Sequence, residues 1–415
     1  MGSLERRELS AFDIGCVVIG GIIGVGIFFT PAKVAERAGS HEMVLATWAV
    51  GGLLALFGAL VFAELSTRVP GHGGIFRYIY AGFGRLPAFL FGWSNWLVIQ
   101  AGALSIVALL FVVHLELMMF GTQTGSPLVQ LAVAALAILL FTATNLVGLR
   151  VGKRVQNLLT VVKVLALCVL VLAVFVSADG SAAAVTTEPE VLATTSPLAR
   201  LAGALLPVLF AIGGWQQGSF IAGAARNPMR SVPLGILCGV LVVITVYMAI
   251  NIAYLDLLGF SRARVSDSIA AESAAVLWGP MGERIFAAMV AVSAAGIMNT
   301  ICMAPPYVLL AMAEEGLFPA AFARRHPRWQ TPVLGILGQG LWAVVLMGAA
   351  YGYALSAAGG ARPRTIDTLG FLCDGVVFVD WLFLSSCGAA LLVLRRRSAD
   401  APWRVPGGGL VALVF

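Results

Sequence analysis

The chain has 415 residues, of which 60% are hydrophobic and only 11% are charged, and its formal net charge is +6. Its mean hydropathy of +0.95 excludes a water-soluble globular protein and indicates a membrane protein with many spans. Basic residues in the loops that flank such spans explain the positive charge, so no nucleic-acid partner is expected.

The first apolar segment runs from about Ala11 to Ala38, which is long enough to cross a bilayer at roughly 20 residues per span. It lacks a small-residue cleavage site, so we expect it to remain as the first span. Its centre, from Ile19 to Thr30, reads IGGIIGVGIFFT. Glycine costs a helix interior about 1 kcal/mol relative to alanine, and lipid offers no replacement hydrogen bonds. Two readings stay open: a discontinuous helix that binds a ligand, and close packing against another helix.

Further apolar segments follow, separated by charged, proline-containing or glycine-rich stretches. The ten predicted spans lie near residues 11–38, 43–67, 86–120, 126–147, 155–177, 198–223, 232–257, 284–313, 332–353 and 366–394. A last apolar run begins near Val405 and stops at Phe415, so residues 395–415 are expected to hold the start of an eleventh helix in which the chain is cut. The predicted fold class is therefore an all-α polytopic membrane protein.

Orientation follows from the distribution of lysine and arginine. If the N-terminus is cytoplasmic, the inner segments hold about twice as many basic residues as the outer segments. We therefore expect a multi-pass protein of the plasma (inner) membrane with its N-terminus in the cytoplasm.

The sixth span repeats the glycine pattern of the first. Its segment Leu209–Gly223 reads LFAIGGWQQGSFIAG, with glycines and two glutamines at mid-span. Ten spans divide into two sets of five, residues 1–177 and 198–394, and an odd number of helices per half makes the halves inverted. Paired glycine-interrupted helices at corresponding positions are typical of transporter binding sites. The pattern favours a LeuT-type 5+5 inverted repeat with discontinuous helices 1 and 6.

A few charged residues lie inside predicted spans. Lys163 is well inside the fifth span, where an ammonium group is costly and nearly always faces a partner or a cavity. It either binds the carbonyl groups freed by the first broken helix or snorkels back towards Arg154. Asp374 and Asp380 of the tenth span either line the vestibule or carry protons, or they bond one helix to another. Glu64 is expected to be solvated at the membrane interface.

The six cysteines and four histidines show no metal or disulfide pattern. The cysteines lie in apolar segments without CxxC spacing, and no two histidines are close together in the sequence. No cofactor and no metal site is expected.

Five segments carry recognisable motifs and occur in a defined order along the chain. They read IIGVGIFFTP, FAELSTRVPGHGGIFRYIY, NLVGLRVGKRVQNLLTVVKVLAL, FAIGGWQQGSFIAGAARNPMRSVP and VSAAGIMNTICMAPPYVLLAMAEEGLFP. Together they resemble the amino acid–polyamine–organocation (APC) superfamily, and within it the prokaryotic stand-alone members of the L-type amino acid transporter family. The resemblance covers essentially the whole chain and implies amino acid transport by alternating access on a LeuT-type fold.

The resemblance also implies a site on the two broken helices. The N–H groups of Gly24, Val25 and Gly26 would receive the substrate α-carboxylate, and Phe210 would cover the substrate as a gate. Lys163 would bridge the first and eighth spans near Ser293, as in sodium-independent members. The residues expected to contact the substrate are Ile22, Ile23, Gly24, Val25, Gly26, Phe210, Ala211, Gly213, Gly214 and Gln216. Among these, the carbonyl groups expected to receive the α-ammonium are those of Ile22, Ile23, Phe210, Ala211 and Gly213.

The sequence departs from the family pattern at the side-chain pocket. Val25 stands where serine or alanine is usual, and Ile212 replaces a common tyrosine or aspartate. Gln216 and Gln217 also alter the pocket, which puts the substrate side chain in question more than the reaction. The loop between the third and fourth spans contains no cysteine, so no disulfide-linked heavy chain is expected.

The first functional hypothesis is sodium-independent exchange or uptake of neutral L-amino acids, because the centres of spans one and six contain no acidic residue. Proton-coupled symport through Lys163 and antiport of cationic amino acids or polyamines are alternatives. A membrane-embedded enzyme is disfavoured, because no histidine lies at the depth of Ser105, Ser293 or Ser385 to activate a nucleophile. A channel is disfavoured too, because two broken helices and one buried lysine do not form a conduction filter.

Overall fold

The computed structural model describes residues 7–123, 125–177, 196–266, 268–357, 365–398, 402–406 and 409–415, with the backbone alone for residues 357 and 365–378. Helices account for most of this part of the chain. In order they are α1 (Ala11–Ile22), α2 (Gly26–Ala38), α3 (His41–Arg68), α4 (Ile75–Phe83), α5 (Arg85–Ser94), α6 (Ala101–Phe120), α7 (Pro127–Leu146), α8 (Leu149–Ser177), α9 (Pro197–Ile212), α10 (Gln217–Phe220), α11 (Pro228–Leu258), α12 (Phe260–Ala263), α13 (Ile269–Trp278), α14 (Pro280–Met303), α15 (Pro306–Glu314), α16 (Val333–Ala357), α17 (Thr365–Arg397) and α18 (Gly409–Val414). A π-helical turn, Asn95–Gln100, joins α5 to α6, and short 3-10 turns occur at Ala222–Ala224 and Ala320–Ala323.

The predicted all-α polytopic class is confirmed. In the described ranges, eight helical stretches are long and apolar enough to cross a membrane, and the bent pair α1 and α2 makes a ninth. These nine correspond to the first nine predicted spans. The tenth prediction, 366–394, coincides with the 33-residue helix α17, whose side chains are described only from residue 379 onwards.

Local sequence signals explain where several helices begin. Ser10 accepts the Asp13 N–H while the Asp13 side chain accepts the Ser10 N–H, which forms a capping box at the start of α1. Ser126 and Ser196 cap α7 and α9, and in both helices a proline occupies the first turn. The capping serines therefore determine where α7 and α9 begin.

The helix pair α14 and α15 is the most deeply buried of the candidate spans. Helix α14 packs against α1, α6, α7 and α8, while α1 also packs against α11, and α2 packs against α9. This arrangement places the first predicted span against α14 and the sixth predicted span against the first.

Glu64 is fully buried, which corrects the expectation that it is solvated at the interface. Its carboxylate accepts hydrogen bonds from the Nε atoms of Arg68 (2.7 Å) and Arg395 (2.9 Å) and from the Val405 N–H (2.8 Å). Because these donors come from α3, α17 and the segment after it, Glu64 joins parts of the chain that are far apart in sequence. A buried carboxylate with this many donors is structural.

Candidate functional site

The first and sixth predicted spans are both interrupted. Helix α1 ends at Ile22 and α2 begins at Gly26, with an angle of 50° between them. In the sixth span, α9 ends at Ile212 and the backbone leaves the helix over residues 213–216 before α10. The two predicted helix breaks are therefore present in the structure.

The two breaks cross in direct backbone contact. Gly214 has a φ of +126°, and a Cβ atom built on it would lie 2.5 Å from the carbonyl oxygen of Gly21. A Cβ on Gly21 would in turn lie 3.1 Å from the carbonyl oxygen of Gly214. Both glycines are required for this close approach, and Gly214 is also required for its positive φ. The first span is thus discontinuous, and its glycines also allow close packing against the sixth span.

A cavity of about 180 Å³ lies between the breaks. It is lined by Gly21, Ile22, Gly24, Val25, Gly26, Ile99, Gln100, Ala103, Ile106, Val107, Leu209, Phe210, Ala211, Gly213, Gly214, Gln216, Gln217, Ile297, Ile301, Asp380 and Trp381. This set contains every residue predicted to contact the substrate except Ile23. Phe210, the predicted gate, lies on the wall with 44% of its surface exposed.

The start of α2 presents unpaired backbone N–H groups to this cavity. No side chain caps this end of the helix, and within the described ranges the N–H groups of Val25 and Gly26 donate no hydrogen bond. The N-terminal end of a helix also carries a partial positive charge. Such an end binds carboxylate or phosphate groups. The N–H groups of Val25 and Gly26 are therefore available to an acceptor in this corner of the cavity.

The carbonyl groups at the breaks already have protein donors in several cases. The Ile22 and Ala211 oxygens accept from the Tyr247 hydroxyl, at 3.1 Å and 3.3 Å. The Ile23 oxygen accepts from Lys163 (2.7 Å) and from the Ser293 hydroxyl (3.1 Å). Ile23 is fully buried and is not part of the cavity wall. Its carbonyl faces the lysine, because the turn after α1 points it away from the cavity.

Lys163 binds backbone carbonyl groups of the first break on the side away from the cavity. Its ammonium donates to the carbonyl oxygens of Gly20 (3.2 Å), Ile23 (2.7 Å) and Ser293 (3.4 Å), and its side chain is only 2% exposed. The ammonium lies at the break, not at the end of α8 near Arg154. Lys163 thus joins α8, the end of α1 and α14 at one point.

Tyr247 of α11 is a site residue that sequence reasoning missed. Its hydroxyl is the group that joins the Ile22 and Ala211 carbonyl oxygens, one from each break, and it also faces the Gly24 N–H. The ring is buried and packs edge-on against Trp48, with a centroid distance of 5.6 Å. A tyrosine within the apolar run of α11 gives no sequence signal of this role.

We expect Tyr247→Phe to lower the affinity for substrate about tenfold, because the two carbonyl groups lose a shared donor in a region without bulk water. Tyr254→Phe is a matched control, since Tyr254 is buried on the same helix and its hydroxyl has no partner among the described residues. The measurement is the concentration of substrate that gives half-maximal uptake into liposomes. Equal values for the two variants would contradict a positioning role for Tyr247.

Polar side chains form one part of the cavity wall. Gln216 accepts the Gly214 N–H through Oε1 (3.1 Å) and donates through Nε2 to Asp380 Oδ2 (3.1 Å). Asp380 therefore both lines the cavity and bonds α17 to the second break, which combines the two roles left open by the sequence. The Asp374 side chain lies outside the part of the structure that describes side chains.

Comparison with known proteins agrees with this architecture. A sequence model of the family described as amino acid permease matches residues 9–415. The b(0,+)-type amino acid transporter 1 of Mus musculus is 28% identical over 408 residues, which cover 97% of this chain and 79% of that protein. The serine/threonine exchanger SteT of Bacillus subtilis is 29% identical over 397 residues, covering 95% of this chain and 84% of that protein. The human cystine/glutamate transporter is 27% identical over 413 residues, covering 97% and 77%.

Among solved structures, a variant of the manganese transporter of Eremococcus coleocola superposes with a TM-score of 0.58 and 15% sequence identity, covering 97% of this chain and 84% of that one. At this identity the likeness shows the fold alone. The relatives named above are transporters and not enzymes. The helical spans and the match to the family model over nearly the whole chain show that this is a multi-pass membrane protein of the amino acid permease family, within the APC superfamily.

Proposed function

We propose that this protein is a secondary transporter of L-amino acids that works by alternating access on a LeuT-type 5+5 inverted repeat. Residues 1–177 and 198–394 form the two repeats in this proposal, and residues 395–415 begin an eleventh helix. The observation that carries the proposal is the cavity between two broken helices, with the unpaired N–H groups of Val25 and Gly26 on its wall. An α-carboxylate fits this corner because it accepts hydrogen bonds and is stabilised by the helix dipole.

The α-ammonium group of the substrate is proposed to bind carbonyl oxygens on the opposite side of the same corner. The proposed carbonyl groups on the wall are those of Ile22, Phe210, Ala211 and Gly213. The Ile23 carbonyl, bound to Lys163 and Ser293, is left out of this proposal. Phe210 is well placed to cover the bound amino acid, because it is half-buried and at the edge of the second break.

Transport is proposed to be independent of sodium. In transporters with broken helices, unwound carbonyl groups and helix ends can coordinate a coupling cation. Here the ammonium of Lys163 lies 2.7–3.4 Å from the carbonyl oxygens of Gly20, Ile23 and Ser293. A fixed positive charge at that position removes the need for a metal ion there.

The proposed substrates are neutral amino acids, moved by exchange or uptake across a plasma membrane with the protein's N-terminus in the cytoplasm. The wall is formed largely by apolar side chains and backbone, with Asp380 as the one carboxylate among the described lining residues. One named relative is a serine/threonine exchanger, and serine and threonine are neutral amino acids. We further propose that the protein acts without a disulfide-linked heavy chain.

The test is a competition panel in proteoliposomes. Uptake of labelled alanine is measured against each of the twenty amino acids, with and without sodium and with and without a pH gradient. We expect neutral amino acids to compete and trans-loaded neutral amino acids to accelerate uptake, with no effect of sodium. Preference for arginine or a polyamine would overturn the neutral assignment, and sodium-driven accumulation would overturn the role given to Lys163.

A further inference from the structure

Four polar side chains line the cavity, those of Asp380, Gln216, Gln217 and Gln100. We call these four residues the polar end of the cavity. The other side chains on the wall are apolar, and they include Ile99, Ile106, Val107 and Ile301 together with the aromatic rings of Phe210 and Trp381. A polar end in an otherwise apolar cavity is the part that orients a ligand and sets specificity.

Asp380 has one carboxylate oxygen in use and one available. Oδ2 accepts the Gln216 Nε2–H at 3.1 Å, and Gln216 is itself fixed by the Gly214 N–H. Among the described residues no donor to Oδ1 is present, and no lysine, arginine or histidine forms an ion pair with Asp380. A carboxylate at this depth without a cationic partner needs a donor from elsewhere.

Gln217 supplies a second, independent acceptor. Its Nε2 donates to Gln100 Oε1 at 3.3 Å, and Gln100 Nε2 donates to Asn95 Oδ1 at 3.1 Å, along the π-helical turn that precedes α6. In this series of hydrogen bonds, each amide donates in the direction from Gln217 to Asn95. The Gln217 Oε1 atom therefore accepts no hydrogen bond within the series. That atom is buried and has no hydrogen-bond partner in the described part of the chain, and Gln217 is 7% exposed.

Both free groups of the polar end are therefore acceptors, and both residues line the same cavity. An apolar side chain placed there would leave two buried acceptors unpaired, whereas a hydroxyl, amide or ammonium group would satisfy them. We propose that the polar end is the subsite for the substrate side chain and that it selects amino acids whose side chains donate a hydrogen bond. This inference rests on the proposed function, because it assumes that the substrate backbone binds at the start of α2.

The test compares amino acids of equal shape. Threonine and valine differ by a hydroxyl against a methyl group, and ornithine and norleucine differ by an ammonium against a methyl group. Each is used to compete with labelled alanine in proteoliposomes of the full chain. We expect the donor to compete about 10- to 100-fold better than its apolar partner in at least one pair. Equal competition in both pairs, or better competition by valine and norleucine, overturns the inference.

Variants connect the preference to the named residues. Asp380→Leu is expected to bring the preferred pair to within about twofold of equality, because the acceptor is removed. Asp380→Asn keeps an acceptor oxygen without the charge, so it should preserve a threonine preference but abolish an ornithine preference. Gln217→Met removes the second acceptor and should reduce the preference even if Asp380→Leu does not fold. Asp256→Asn, at an exposed carboxylate, is the control and should leave the ratios unchanged.

The outcomes separate this inference from the proposed function. If alanine is transported and the ratios do not change in Asp380→Leu and Gln217→Met, the subsite is wrong and amino acid transport stands. If no amino acid is transported by the folded wild-type protein, both the proposed function and the subsite are wrong. Folding of each variant is checked by its elution as a single species and by its unfolding temperature in detergent.

Discussion

Gly214→Ala is expected to lower substrate uptake about 100-fold, a larger effect than any other single methyl group added in the cavity. The new Cβ would lie 2.5 Å from the carbonyl oxygen of Gly21 and 2.7 Å from its carbonyl carbon. Both are backbone atoms, so no side-chain rotation relieves the overlap. The residue also has a φ of +126°, which alanine adopts only with strain. The breaks must therefore separate, and the corner proposed to bind the α-carboxylate moves away from the second break.

The matched control is Gly203→Ala on the preceding helix. Nothing lies within 4 Å of a Cβ at Gly203, so this substitution adds the same methyl group to α9 without a clash. Uptake of labelled alanine and the rise in unfolding temperature with added substrate are measured for both variants, because the second quantity reports binding separately from transport. Retention of near wild-type uptake by Gly214→Ala would show that the close contact between the breaks is unnecessary.

The sequence was most informative where function requires a departure from ordinary helix composition. Clustered glycines in the first span and in Leu209–Gly223 predicted both breaks, because glycine is unfavourable in a helix interior unless the backbone needs it. The contact of Lys163 with the first break was predicted for a similar reason, since a charge inside an apolar helix needs a partner. The spans were predicted from apolar runs separated by charged, proline-containing or glycine-rich stretches.

Other parts of the site could not be predicted from the sequence because they depend on which helices meet. Tyr247 has a hydroxyl that is unremarkable in sequence, and only the packing of α11 against α1 brings it to both breaks. Asp380 lies far from the breaks along the chain, and the hydrogen bond from Gln216 is what places it on the cavity wall. Ile23 was assigned to the substrate because it lies within the first break. The direction of its carbonyl group is a three-dimensional property that spacing does not contain.

Lys163→Met is expected to lower uptake by about 100-fold or more, since methionine has a similar length but cannot donate. Three carbonyl groups, those of Gly20, Ile23 and Ser293, would lose the ammonium that now binds them. A buried carbonyl group left unpaired costs about 1–3 kcal/mol, and the bilayer supplies little water to replace the donor. The Ile23 oxygen would keep only the Ser293 hydroxyl. The end of α1 would then lose its fixed position relative to α14, and with it the geometry of the cavity. Lys163→Arg is not expected to rescue the loss, because Gly296 already lies against the ammonium and the larger guanidinium group has no space there.

Lys33→Met is the control for the loss of a lysine, because Lys33 lies on an exposed face of α2. Uptake and substrate-dependent unfolding temperature are measured for both variants at equal amounts of reconstituted protein. A folded Lys163→Met protein that no longer binds or transports substrate is the expected result, since the lysine acts on the position of the first break and not on the substrate itself. If Lys163→Met transports at the wild-type rate, the carbonyl groups do not need the ammonium, and the account of sodium-independence given above is wrong.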